Sequence, residues 1–201
     1  CYCTVDALAL RDWDQETPMV ELADTDIRTR EVLQYKGIHV FHYPMSSCSQ
    51  KTRIALGLKK VSWTPHLVNL ANAESNSAWF LGINPRGLVP VLVVDGTVHV
   101  ESNDILRVIE TLAPEPCLFP AERDIETTAY LNAEDDLHID LRTLSFRFCY
   151  GRTGSTKSPE ALETYRAHAP LGGGTQDARK DKEIEFYDRI AREGITPTAI
   201  I

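Results

Sequence analysis

No stretch of the chain is apolar for anything near the roughly 20 residues that a bilayer-spanning helix needs, so no membrane segment is expected. Basic runs are missing too. Lys and Arg number 21 against 29 Asp and Glu, a formal net charge of −8. A chain of that sign without a cationic cluster lacks the attraction that holds proteins to nucleic acid or anionic membrane, and neither is expected as a partner. Cysteine is sparse, at positions 1, 3, 48, 117 and 149, an odd number at irregular spacing. No CxxC…CxxC or CxxC…HxxxH pattern occurs, so a structural zinc site is not expected. Free thiols in a reducing cytosol are the simplest setting. The 6 histidines are scattered, with none paired at metal-ligand spacing, and no metal is assigned. Residues 1–10 contain Asp6 and no basic n-region, so no signal peptide is read. Gly172-Gly173-Gly174 is not followed by Gly-Lys-Ser/Thr. It reads as linker and not as a phosphate-binding loop.

The remaining composition, 43% apolar and 25% charged over 201 residues, is that of a globular chain with one large or two small domains. Residue 1 is Cys, not Met, and residues 196–201 carry no stop signal, so a fragment is expected. Residues 1–36 read as an acidic extension with one short helix over 25–35. Period-2 alternation predicts a strand over 38–43, then a turn at Pro44 and a helix with Ile54, Ala55 and Leu58 on one side. A second strand is expected over 63–70 and a short helix over 75–83. Two β-rich runs, 91–94 and 97–100, are joined by Asp95-Gly96, the residue pair of a two-residue hairpin. Ile105, Leu106, Ile109 and Leu112 then mark a helix over 102–112. After Pro120 the strands stop, and helices are expected over 122–148, 159–168 and 180–192. A mixed α/β unit followed by an all-helical unit implies two domains.

Cys48 stands in the first turn of a helix, right after a strand. The positive helix end, its free N–H groups, Lys51 and Arg53 all favour thiolate over thiol. The plain alternative is a small buried hydrophobe. Position 51 is Lys, so there is no CxxC partner, and exchange with an external thiol is the expected chemistry. Ser46 or Ser47 can cap the helix, donate to a thiolate, or both. Val89-Pro90 marks the start of a strand. Ser102 fits as an N-cap whose helix end would take a carboxylate, and Glu101 would take an ammonium. Together they suit the two charged ends of an amino acid, although a cap and a solvated charge would look the same.

Taken together, these segments resemble the glutathione transferase family. The likeness runs from about residue 38 to 120. It rests on Ser46 through Leu56 (SSCSQKTRIAL), on Asn84 through Leu92 (NPRGLVPVL), and on Glu101-Ser102 opening a helix. The resemblance implies an α/β plus all-α architecture. It comprises an extension over 1–36, a thioredoxin-like glutathione-binding domain over 37–118 and part of a helical C-terminal domain over 119–201. It implies glutathione as cosubstrate, a small electrophilic aromatic second substrate and a homodimer. It further implies a cis Val89–Pro90 bond whose backbone pairs with the cysteinyl part of glutathione, and a γ-glutamyl site at Glu101 and Ser102. Cys48 takes the catalytic-cysteine position and Ser46 the assisting-serine position.

Two branches of the family fit. Ser-Ser-Cys-Ser followed by Arg-Ile-Ala-Leu is similar to the zeta class, which includes maleylacetoacetate isomerase. Residues 41–51, and the stretch around Cys149-Tyr150-Gly151, are closer to the halohydroquinone reductive dehalogenases. Zeta enzymes usually carry Gln where this chain has Glu101, which favours the dehalogenase branch. Two further readings are a glutaredoxin-like thiol transferase and a glutathione-binding module without turnover.

Overall fold

The computed structural model describes residues 21–148, 157–168 and 178–195. The readings made at Cys1, Cys3, Trp13, Cys149-Tyr150-Gly151, Gly172-Gly173-Gly174 and residues 196–201 lie outside the described residues.

A four-stranded sheet is built from β1 (Ile38–His42), β2 (Thr64–Leu67), β3 (Val91–Val94) and β4 (Thr97–His99), in the order β2-β1-β3-β4. β2 runs parallel to β1, whereas β3 and β4 are antiparallel to their neighbours. Alternation along the strands sorts side chains to two faces. Val40 and its cross-strand partner Leu92 pack with Ala55, Leu56, Ile105 and Ile109, on one side. Those residues belong to helices α1 (Ser47–Leu58) and α3 (Ser102–Leu112). Phe41, Val91 and Val93 go to the other side, with Val68, Phe80 and Ile83. Phe80 comes from the short helix α2 (Ala78–Leu81). The β3–β4 turn has positive φ at both Asp95 (49°) and Gly96 (91°), as a type I′ hairpin requires. A β-carbon at Gly96 would run into the Leu33 carbonyl, so glycine is needed there for space as well.

The stretch read as an extension is, over its described residues, part of this packing. Leu22, Ile27 and Val32 are buried in the Phe41 cluster, and the Leu22 N–H donates to the Val98 carbonyl at 2.9 Å. Its helix is a 3-10 segment, Arg30–Gln34. Three widely spaced apolar anchors leave no period to read, which explains the weak pattern.

Among the described residues three α-helices follow: α4 (Asp124–Phe148), α5 (Pro159–Ala167) and α6 (Ala178–Glu193). α5 starts on a Ser158 cap with Pro159 just inside it, a favourable pair. α4 is fixed to α3 by Arg107, which bonds Asp124 at 2.7 Å and Thr128 at 2.8 Å, and by Asn103, which donates to the Leu131 carbonyl at 3.0 Å. Tyr165 of α5 packs on Leu81 and donates its hydroxyl to the Arg86 carbonyl at 2.8 Å. Arg142 of α4 grips both carboxylate oxygens of Glu183 on α6, at 2.7 and 2.6 Å. The fold is the expected one, a thioredoxin-like sheet-and-helix unit followed by helices. Among the described residues no helix is long and apolar enough to cross a membrane.

Candidate functional site

The site begins where β1 turns into α1. Ser46 has extended backbone angles and caps the helix: its Oγ accepts from the Ser49 N–H at 3.2 Å. Because that oxygen accepts, its own proton stays available to a ligand. Cys48 is the second residue of α1, in the turn where backbone N–H groups have no helical partner.

Three helices meet at the Cys48 sulfur. His138 of α4 approaches it with Nδ1 at 3.9 Å and Nε2 at 4.0 Å. The Ser102 hydroxyl of α3 bonds it, and the Lys51 ammonium lies one turn further along α1. Burial alone would raise the Cys48 thiol pKa. The bond and charge of His138, the Ser102 bond and the Lys51 charge outweigh burial, so the net shift is downward. The bond to Cys48 in turn raises the His138 pKa, against burial. Glu134, one turn before His138, lies 3.8 Å from Nδ1. Its other oxygen receives Lys51 at 2.6 Å, and Lys51 also donates to Asn103 at 2.5 Å.

The donor atoms of Cys48, Glu134 and His138 lie within 4.8 Å of one another, a trio of the kind that can surround a soft divalent ion. Here the Lys51 ammonium already sits on the carboxylate, so the cluster carries its own cation. Sequence reasoning missed His138 and Glu134. They share the i, i+4 spacing that puts both on one helix face. Nothing local ties that face to a cysteine 90 positions earlier.

Glu101 and Ser102 are placed differently from the sequence reading. Glu101, not Ser102, is the N-cap residue of α3, with no side-chain cap bond, and Ser102 is the first helical residue. The cause is Glu101 itself, whose φ of 66° ends the preceding extended chain one residue early. Such an angle is costly for a residue with a β-carbon and persists where the surroundings hold it. Here Arg86 holds Oε1 and Arg179 holds Oε2, each at 2.5 Å. The carboxylate is therefore doubly paired. Ser102 is buried and its hydroxyl serves Cys48, a task that sequence reasoning gave to Ser46 or Ser47.

The Val89–Pro90 bond is cis, as the resemblance implies. It follows a turn held by Asn84, which accepts from the Arg86 N–H at 3.0 Å and donates to the Leu88 carbonyl at 2.8 Å. A depression of about 420 Å³ beside the cluster is lined by Ser47, Lys51, Ile54, Leu58, Leu106 and Leu118, among others. A larger one of about 790 Å³ lies along α5, lined by none of the site residues. Only the former borders the chemistry, so size does not locate the site here.

Residues 45–112 match the family model "Glutathione S-transferase, N-terminal domain". A probable maleylacetoacetate isomerase of Caenorhabditis elegans is 40% identical over 83 residues, covering 41% of this chain and 38% of that protein. A zeta-class glutathione S-transferase of Euphorbia esula is 40% identical over 85 residues, covering 42% and 38%. The chain thus matches well under half the length of these curated relatives. Among solved structures, the beta-etherase LigF of Sphingobium sp. strain SYK-6 superposes with a TM-score of 0.63 at 24% identity, covering 81% of this chain and 65% of that one. A glutathione transferase homolog from sulfitobacter, solved with bound glutathione, gives a TM-score of 0.52 at 19% identity, covering 83% and 88%. Residues 45–112, which hold Ser46, Cys48, Val89, Pro90, Glu101 and Ser102, are thus similar to a glutathione S-transferase N-terminal domain, and the chain has the fold of the glutathione transferases it superposes on.

Proposed function

We propose that the chain is the glutathione-binding part of a glutathione-dependent transferase that works through Cys48, with a thioredoxin-like domain over 37–118 and part of a helical domain over 119–201. The observation that carries this reading is the surroundings of the Cys48 sulfur. A thiol in the first turn of a helix, with an imidazole, a hydroxyl and an ammonium about it, is held toward thiolate, the form that attacks sulfur or carbon.

In this reading glutathione pairs its cysteinyl backbone with Val89 at the cis Val89–Pro90 bond. Its γ-glutamyl end meets Glu101 and Ser102, where the ligand ammonium takes the place of Arg179 on Glu101 Oε2. The relative solved with glutathione supports the same cosubstrate. Ser46 keeps a hydroxyl proton to give to the glutathione sulfur. Glutathione thiolate displaces halide from the tautomer of a halogenated hydroquinone, forming a carbon–sulfur bond. Cys48 thiolate then attacks the glutathionyl sulfur, releasing reduced ring and leaving a mixed disulfide. A second glutathione resolves it by exchange. A homodimer in the cytosol belongs to the same reading, supported by the apolar side chains that α4 leaves exposed.

The 40% identical relatives named for maleylacetoacetate isomerase and the zeta class favour a second reading. There glutathione adds to a double bond, the bond rotates, and glutathione leaves. Ser46 then matters more than Cys48.

Glutathione-dependent halide release from a chlorinated hydroquinone tests the first reading, with the chain and its Cys48→Ser variant and a mass spectrum of each product. Halide release by both, with reduced ring from the chain and glutathionylated ring from the variant, is the expected result. No halide release, together with isomerisation of maleylacetoacetate that survives Cys48→Ser, replaces the first reading with the second.

A further inference from the structure

We propose that His138 is the proton carrier for Cys48, taking the thiol proton to form the attacking thiolate and delivering it to the leaving group. This rests on the reading of Cys48 as the reacting thiol.

Both ring nitrogens lie near the sulfur, Nδ1 at 3.9 Å and Nε2 at 4.0 Å, and Nδ1 also lies 3.8 Å from the Glu134 carboxylate. With Nε2 serving the sulfur, the ring stands between thiol and carboxylate. That is the order nucleophile, base, orienting acid, which cysteine and serine enzymes reach on unrelated folds. Glu134 is steadied by Lys51, and Lys51 by Asn103, so the imidazole is braced from both α1 and α3. The remaining groups about the pair are the Ser102 hydroxyl of α3, and Arg142 on α4, whose charge is answered by Glu183 of α6. Glu134 favours the imidazolium and Arg142 opposes it. Thiolate and imidazolium support one another, in line with the opposite shifts of the two groups.

The steps balance. Cys48 thiolate attacks the glutathionyl sulfur of the ring adduct: a sulfur–sulfur bond forms, the carbon–sulfur bond breaks, and its electron pair stays on the ring carbon. The imidazolium of His138 gives its proton to that carbon. A second glutathione then passes its thiol proton to His138 and attacks the glutathione sulfur of the mixed disulfide. Cys48 leaves as thiolate beside a renewed imidazolium. Two glutathiones are oxidised to their disulfide, and the ring gains the two electrons. Without a proton carrier the ring would have to leave as a bare carbanion, the costliest point of the cycle.

The inference also gives the helical region a chemical task. His138 comes from α4, outside the matched residues 45–112, so the reactive centre is completed across the two units.

The test reads the thiolate directly and needs neither glutathione nor aromatic substrate. The alkylation rate of Cys48 by iodoacetamide is followed against pH by peptide mass spectrometry, which separates it from the other cysteines. His138→Gln is expected to move the midpoint upward by about one pH unit or more. In the intact chain, the NMR titration of His138 is expected to move downward on Cys48→Ser, a readout that does not need the histidine variant to fold. With the glutathionyl adduct, His138→Gln should slow ring release more than the first, halide-releasing step. Unchanged midpoints in both titrations would overturn the pair. If both midpoints shift but no glutathione-dependent turnover is found, the pair stands and the proposed function is what fails.

Discussion

The sheet unit and the helix that follows it use apolar side chains in opposite ways. In the sheet, pattern and burial agree: Val40, Phe41, Val91, Leu92 and Val93 are all fully buried. In α4 they part company. Its 25 residues bury Thr143, whereas Ile125 (89% exposed), Tyr130 (67%), Leu137 (54%), Leu141 (51%) and Phe148 (71%) face outward. Leu131, Ile139 and Phe146 pack at the edges of buried clusters, and three ion pairs hold α4 beside them: Arg107 on Asp124, Lys51 on Glu134 and Arg142 on Glu183. Burial makes the core of the sheet unit. Ion pairs align α4 over the Cys48 end of that core and leave its apolar stripe to other contacts.

The strongest way to break this contrast is a pair of truncations. Phe41→Ala should cost about 3–5 kcal/mol in urea unfolding, and Leu141→Ala within about 0.5 kcal/mol. Equal costs would mean that α4 is packed as the sheet is. A charge deletion sharpens the same point. Arg142→Met strands the buried Glu183 carboxylate and should cost about 3–5 kcal/mol, while Arg123→Ala, at an exposed pair, should leave the urea midpoint unchanged. Gly96→Ala forces a β-carbon against Leu33 at positive φ and should cost about 1–3 kcal/mol by the same assay. Ser46→Ala removes the α1 cap and should cost about 1 kcal/mol, with its effect on turnover measured separately.

The smallest effect is set by pH. Burial, joined at His42 by Arg53 and His66 and at His66 by His39, lowers the pKa of His42, His66 and His99. Below about pH 6.5 the unfolded chain takes up protons that these folded histidines refuse, so their share of stability falls with acidification. His138 runs the other way. Its raised pKa adds stability below about pH 6.5 that is lost as pH climbs through the folded value. The thermal unfolding midpoint should therefore fall on acidification in the chain and fall further in His138→Gln, and a rise in either would contradict the signs.

How much of this could be read from residues alone follows the same divide. Strand alternation at 38–43 and 91–94, the Asp95-Gly96 turn and the helical period over 102–112 are local signals, and they stand within a residue or two in the structure. The turn carrying Ser46 and Cys48 was legible for the same reason. Residues 21–35 were not, because Leu22, Ile27 and Val32 owe their burial to a sheet formed later in the chain. His138 and Glu134 were not, because their meaning arises where α4 crosses the start of α1. The start of α3 was legible, but its N-cap is Glu101 and not Ser102, because the positive φ of Glu101 and its Arg86 and Arg179 pairs leave no local signal.

The central claim is that Cys48 takes the glutathionyl sulfur. It is tested most directly by mixing the chain with one equivalent of a glutathionyl hydroquinone, without free glutathione, and weighing the intact protein without reductant. The expected result is one glutathionyl group retained on Cys48, formed together with release of reduced ring, and absent in Cys48→Ser. Reduced ring appearing with no glutathionyl group on Cys48, or equally fast from Cys48→Ser, would contradict it.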